Sequence, residues 1–301
     1  MWPYVIEHPI RIGTYGVMMA IGFLTALWLL QKDLARRNIP PKFGENIIFL
    51  GIVFGVLGAK LAYMFTEAET VSLRDFFSGA GLTWHGGLIL AAIAIIVYFV
   101  RKKIPVLVGT DAVAPMLASG YAFGRIGCQL AGDGDYGVAC GDFVDKASCW
   151  IVNGYHQGFE VCLAKVRPLF CMSYPDGIVP TNELVHPTPV YESLSNFLLF
   201  ALLWALRKKF KRPGILFSIY LIGAGLLRFF VEFIRQPEGR PDRFLGLRDA
   251  HLVALASVLL GIGIVIYALL KGVPEGQEYG ILKAYSLDEP SQTQKKKRRR
   301  R

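Results

Sequence analysis

The stretch Leu226–Arg240 reads LLRFFVEFIRQPEGR, and Arg228, Glu232 and Arg235 stand in it among apolar residues. At about 100° per residue these three positions fall within roughly 60° of one another on a helical face. On a soluble helix that would be an ordinary ion-paired stripe. In apolar surroundings it is a different proposition. A guanidinium presents a planar fork of donors that matches the oxygens of a phosphate, and a glutamate four residues on holds the fork in orientation. Three more residues belong to the same question: Arg125 in GRIGCQLAGDGDYG, His85 in LTWHGGLI and Tyr15 in TYGVMMAIGF. An imidazole is suited to accept a proton near neutral pH. The chemistry these residue types support is an anion grip with a base.

The elements that must carry them are apolar runs. The chain has 301 residues, of which 53% are hydrophobic and 19% charged, with a mean hydropathy of +0.41. Runs of bilayer-crossing length recur at Thr14–Leu30, Asn46–Phe65, Gly86–Val100, Val106–Leu130, Val190–Leu206, Gly214–Ile234 and His251–Leu270. A spanning helix needs about 20 mostly apolar residues, with a range of about 17–25. Flanking amphipathic residues lengthen the shorter runs, so the fold class is an all-α polytopic membrane protein of about seven transmembrane helices. The first run lacks the basic leader of a cleavable signal, and the first span is expected to be retained.

Basic residues cluster in alternate loops: Lys32, Arg36, Arg37 and Lys42 after span one, Arg101–Lys103 after span three, and Arg207–Arg212 after span five. The C-terminal tail adds Lys271, Lys283 and the run Lys295–Arg301. Such a bias marks the cytoplasmic side, which puts the N-terminus outside and the C-terminus inside. The Arg-rich loop after span six is the exception. The chain then divides into spans one to four (1–130), an outside insertion (131–189), spans five to seven (190–271) and a basic tail (272–301). The tail, SQTQKKKRRRR at its end, suits anionic lipid headgroups beside a membrane better than nucleic acid; a tail with no partner is the plain alternative. In the insertion Cys140, Cys149, Cys162 and Cys171 are spaced 9, 13 and 9 apart. They read as two disulfides with three possible pairings. A metal site is disfavoured, because C-x-x-C pairs are missing and His156 is the one nearby imidazole. Cys128 has no obvious mate.

Ionisable groups inside a span are costly and mark functional candidates. Lys60, Asp111 and His251 join those already named. With the derived topology, Arg125, Arg228 and Glu232 lie in the outer half of their spans, Arg235 at the rim, and His85 enters from outside. An outward-facing pocket rich in arginine at leaflet depth suits a phospholipid, whose phosphate sits at that height.

The motifs LTWHGGLI, GRIGCQLAGDGDYG, HPTPVYE (His186–Glu192), LRFFVEFIRQPEGR and TYGVMMAIGF together resemble those of bacterial prolipoprotein diacylglyceryl transferase. The resemblance runs from Tyr15 to about Leu270 and omits the cysteine-bearing insertion and the tail. It implies a multi-pass enzyme of the bacterial inner (plasma) membrane with its active site facing the periplasm. Such an enzyme moves the diacylglyceryl group of phosphatidylglycerol onto the lipobox cysteine thiol of a prolipoprotein signal peptide and releases glycerol phosphate. No metal or organic cofactor is implied, and no nucleic acid. Carried over by motif, Arg125, Arg228 and Arg235, with Gly86 and Gly87, resemble phosphatidylglycerol-binding residues, and His85, Arg228, Glu232 and Tyr15 resemble catalytic ones. His85 stands where a base for the acceptor thiol has been placed, since the thiolate is the nucleophile, and the arginines would stabilise the departing phosphate.

Plainer readings stand beside these. His85 suits a helix start, Gly86 and Gly87 suit close helix packing, Arg235 suits an interfacial anchor, and His186 and Glu192 suit a loop docked on span five. The chain departs from the family where G-R-x-G-N has Cys128 for Asn, where a further Asn is Ala131, and where GDGDYG is one residue longer. Lys60 and His251 replace a usual Arg and Gln. Asp133 and Asp135 offer too few regularly spaced oxygens for a calcium loop. These changes surround the acceptor side, so a relative acting on another acceptor is a second reading. A non-catalytic lipid-binding or transport protein is a third, disfavoured because internal repeats are missing.

Overall fold

A computed structural model describes residues 1–6, 11–66, 83–140, 171–235 and 247–282. Seven α-helices carry the described chain: α1 (Thr14–Arg36), α2 (Lys42–Thr66), α3 (Trp84–Arg101), α4 (Val106–Ala131), α5 (Thr188–Leu206), α6 (Ile215–Ile234) and α7 (Asp249–Lys271). Six are long and apolar enough to cross a membrane, while α3 is apolar but shorter. This is an all-α polytopic membrane protein. Each helix coincides with one of the apolar runs. The largest difference is α1, which continues a turn and a half past Leu30 because Asp33 offsets the charges that follow: Arg36 and Arg37 each reach it at 2.7 Å, and Arg207, just past α5, at 3.7 Å.

Helix α4 packs on α1, α5 and α6, while α2 pairs with α3 and α6 with α7. A polar contact inside this packing has a local cause. The α6 N-terminus leaves backbone N–H groups unsatisfied, and the buried Asp111 of α4 accepts those of Gly214 and Phe217, both at 2.8 Å. An intramembrane carboxylate is thereby explained as a cap supplied by a neighbouring helix.

The two ends of the bundle differ. At one, Leu282 is held at the end of α1, its N–H donating to the Arg37 carbonyl (3.0 Å) and its carbonyl accepting from the Asn38 side-chain amide (2.9 Å), and Tyr279 N–H donates to the Lys211 carbonyl (2.8 Å). The basic loops after α1 and α5 therefore meet the start of the tail. The other end is roofed by short strands. Strands β1 (Tyr4–Ile6) and β2 (Ile12–Gly13) pair antiparallel, as do β3 (Met172–Tyr174) and β4 (Thr181–Val185). Backbone bonds tie this roof to the helices: Trp2 to Leu130 (3.1 Å), Ile178 to Ala131 (3.0 Å), Gly137 to His186 (2.7 Å) and Val138 to Ile234 (2.9 Å). Cys140 is disulfide-bonded to Cys171 and Cys128 is free and buried. Cys149 and Cys162 lie outside the described residues, as do Arg240 and the basic run of the tail.

Candidate active site at the roofed end of the bundle

Helix α4 ends at Ala131 because Gly132 turns the chain in the left-handed region (φ 60°), where a Cβ would stand 2.7 Å from Gly177. That turn brings Asp133 and Asp135 back over the α4 end. Arg125 lies six residues before Ala131 and Arg228 six before Ile234, each about 9 Å from its helix end at 1.5 Å rise per residue. Glu192 lies in the second turn of α5, whose start carries Pro189, a residue tolerated where the helix N–H has no partner. Arg248 stands at the N-terminus of α7.

These elements assemble one alternating ladder of charge. Arg235 pairs with Asp135, and Asp135 pairs in turn with Arg125. Arg125 Nε meets Glu192 Oε2 at 2.8 Å, and Arg228 Nη1 meets Glu192 Oε1 at 2.8 Å. Arg228 Nη2 meets Glu232 Oε2 at 2.7 Å, the i,i+4 pair visible in the sequence. Arg248 Nη1 lies 3.4 Å from Glu232 and donates to the Arg235 carbonyl at 3.0 Å. The Tyr121 hydroxyl donates to Glu192 (2.8 Å) and accepts from Arg125 Nε and Nη2 (3.1 and 3.0 Å). Among the described residues the ladder holds four guanidinium groups against three carboxylates, one positive charge in excess. The Glu192 and Glu232 side chains are only 4% and 7% exposed, so their attraction to arginine is little screened.

The ladder brings together Arg125, Arg228, Glu232 and Arg235. Tyr15 packs beside Gly127 of α4, where a Cβ would meet its ring at 3.0 Å, and its hydroxyl feels the charges of Arg125, Asp133 and Asp135. His85, Gly86 and Gly87 belong instead to the α2–α3 pair. His85 is exposed at the start of α3, and the Cα of Gly87 faces the Gly55 carbonyl of α2, 2.7 Å from where a Cβ would be. The contact those two glycines make is helix packing. His251 accepts the Arg248 N–H at 3.1 Å and lies among the rings of Phe229 and Phe233.

Sequence reasoning gave Arg228 one carboxylate, Glu232. The structure adds Glu192 to Arg228 and gives Arg125 the carboxylates of Glu192 and Asp135 and the hydroxyl of Tyr121. Tyr121 stands four residues before Arg125, a spacing that places them on one face; Glu192 and Asp135 carry no such local signal. Burial alone would raise the Asp135 carboxyl, but Arg125 and Arg235 outweigh it and hold it below the usual carboxylate range. Among the described residues Asp133 is ion-paired with no arginine, and burial pushes its carboxyl up. Two described groups bring three potential metal-ligand atoms within 4.8 Å. Neither suits a metal: Cys140 and Cys171 beside His186 are consumed by their disulfide, and Asp135 beside Cys128 and Asp133 is taken by two guanidiniums.

The comparisons agree on one family. The family model for prolipoprotein diacylglyceryl transferase matches residues 3–267. A protein of Clostridium tetani called phosphatidylglycerol–prolipoprotein diacylglyceryl transferase is 32% identical over 272 residues, covering 87% of this chain and 96% of its own. Proteins of the same description from Leptospira interrogans and Paraburkholderia xenovorans are 31% and 28% identical, covering 79% and 86% of this chain and 78% and 90% of theirs. With the model match spanning nearly all seven helices, and the arginine ladder built from the motifs that carry the likeness, this chain belongs to the prolipoprotein diacylglyceryl transferase family.

Proposed function

We propose that this chain transfers the diacylglyceryl group of phosphatidylglycerol to the lipobox cysteine thiol of prolipoproteins. The acceptor thiolate attacks the glycerol carbon next to the phosphate; the C–S bond forms, the C–O bond breaks, and glycerol phosphate leaves with the bonding electrons. The thiol proton passes to a base, for which His85 is the candidate. Arg125 and Arg228, with Arg235, hold the phosphate and stabilise the charge that grows on it as it departs. Glu232 orients Arg228, and Tyr15 lines the acceptor side. The observation that carries this reading is the meeting of Arg125 and Arg228, from separate helices, around one buried carboxylate, which sets two guanidinium forks side by side as a phosphodiester headgroup requires.

The membrane arrangement follows the same reading. The basic ends of α1, α3, α5 and α7 face the cytoplasm and the roofed end faces the periplasm of an inner membrane. Residues 131–189 form the periplasmic insertion, and the tail meets anionic lipid. The named relatives act on phosphatidylglycerol and prolipoprotein by their descriptions, which supports both substrates. The Cys128 departure leaves a relative with another acceptor as the second reading.

Two measurements test the proposal. The gene is expressed in a host depleted of its own diacylglyceryl transferase, and lipoprotein mobility is expected to be restored. In detergent, with phosphatidylglycerol and a fluorescent lipobox peptide, Arg125→Lys and Arg228→Lys are each expected to lower transfer at least about tenfold, roughly 1.4 kcal/mol of transition-state stabilisation. Lysine keeps the charge but loses the planar fork. Arg101→Lys at the basic end is expected to have little effect. Near-normal rates in both ladder variants would make the arginines structural and the phosphate assignment wrong.

A further inference from the structure

Glu192 is where the two arginine forks converge, and the mechanism above leaves it without a task. Its oxygens are divided between them: Oε1 accepts from Arg228 Nη1 and the Tyr121 hydroxyl, both at 2.8 Å, and Oε2 is ion-paired with Arg125 Nε at 2.8 Å, whose N–H donates to the Tyr121 hydroxyl. The carboxylate is also the best-anchored member of the ladder. Its side chain is 4% exposed against 25% for Asp135. Its own carbonyl is engaged by Asn196 (2.8 Å) and Ser195 (3.1 Å), and Thr188 at the start of the same helix donates to the Asp135 carbonyl. Two guanidiniums on packed helices repel each other unless a charge of opposite sign lies between them. A carboxylate ion-paired with both also fixes their separation.

We propose that Glu192 is a positioning residue, setting the spacing of Arg125 and Arg228 so that both engage one phosphate. Glu192 touches no reacting atom and acts through the arginines; the inference therefore rests on the phosphate reading above. Charge alone does not account for the arrangement, because Asp135 and Glu232 already offset charge on the same two arginines, whereas Glu192 alone among the described carboxylates bridges them. Two substitutions separate charge from reach. Glu192→Gln keeps the shape but turns an NH2 group toward one arginine, a donor facing a donor, which frees that fork. Glu192→Asp keeps the charge but is one methylene short of contact with both.

The test compares kcat/KM for phosphatidylglycerol, and inhibition by the product glycerol phosphate, in E192Q, E192D, R125K, R228K and the double variant E192Q/R125K. Each is measured per folded molecule, with size-exclusion and thermal unfolding as the folding standard. Both Glu192 variants are expected to lower kcat/KM at least about tenfold and to weaken glycerol phosphate inhibition by a similar factor. The double variant is expected to lose little beyond R125K, because residues acting as a unit are not additive. Tyr121→Phe, which removes one bond to Glu192 and no charge, is a milder arm with a few-fold loss expected if the carboxylate variants do not fold. If R125K and R228K are impaired while E192Q, E192D and Tyr121→Phe keep their catalytic constants and product inhibition within about twofold, the inference is overturned and the phosphate reading stands. If R125K and R228K are themselves near normal, the phosphate reading falls and the Glu192 inference falls with it.

Discussion

Asp135 shows how one residue's protonation is tied to the ladder. Its carboxyl is held below the usual range by Arg125 and Arg235 despite burial, so the folded state binds its proton less readily than the unfolded chain does. A group depressed in this way stabilises the fold fully above its unfolded pKa, about 3.9 for aspartate, and loses that contribution as pH falls through the folded value. Asp135→Asn is therefore expected to lower stability at neutral pH, by about 1.5–3 kcal/mol for a charge-assisted bond. Its deficit relative to the parent should begin to narrow below roughly pH 4 and close as pH falls past the folded value. Thermal midpoints in detergent between pH 7 and pH 3 measure this. Parallel curves over that range would show that Asp135 carries no such load.

At the scale of elements, α2 and α3 approach closely because neither has side chains in the way. A Cβ on Gly87 would stand 2.7 Å from the Gly55 carbonyl and 3.3 Å from the Ala59 Cβ. Backbone cannot yield as a flexible side-chain tip does, so Gly87→Ala is expected to cost about 1–3 kcal/mol by overpacking. Gly51, on the same helix α2, has nothing within 4 Å of its Cβ position, and Gly51→Ala is expected to be neutral or to stabilise by up to about 1 kcal/mol through helix propensity. Differential thermal unfolding separates the two. Equal midpoints would mean that the helices can part at no cost. His85 opens α3, so this packing also sets where the candidate base stands.

For the molecule as a whole, polarity between the ends is the organising feature, with Asp33 and the basic loops at one end and the ladder and roof at the other. The Cys140–Cys171 disulfide closes a loop with a sequence separation of 31 residues at the roofed end, a constraint on the unfolded chain of about 3–4 kcal/mol. Of the three pairings open to four cysteines, only one contains it. Mass mapping without reduction is expected to return Cys140 joined to Cys171, with Cys128 alkylated only after unfolding. Reduction should lower the thermal midpoint. A cross-link from Cys140 to Cys149 or Cys162 would contradict the arrangement.

How much of this was legible beforehand differs by feature. Seven helices were readable because a bilayer demands a long apolar run for each crossing, a requirement written in consecutive residues. The Arg228–Glu232 pair was readable because helical geometry turns a spacing of four into contact. Arg125 could be nominated as a buried charge with no local excuse, and the four-cysteine disulfide reading left its pairing open. Glu192 looked like a loop organiser, Asp135 was weighed only as a calcium-loop oxygen, and Tyr121 and Arg248 carried no signal as partners of the arginines. Each makes its decisive contact with a residue on another element or across a turn, except the Tyr121–Arg125 pair, whose shared partner Glu192 comes from α5. Asp111 was likewise legible as costly and illegible as a cap, since the helix end it satisfies belongs to α6. The sequence by itself determined the spans, their basic flanks and the presence among them of arginines without a local carboxylate partner for each. Only the packing of α4 against α5 and α6 decided which carboxylate lies between those arginines, because an ion pair depends on the distance between side chains, and for separate helices packing sets that distance.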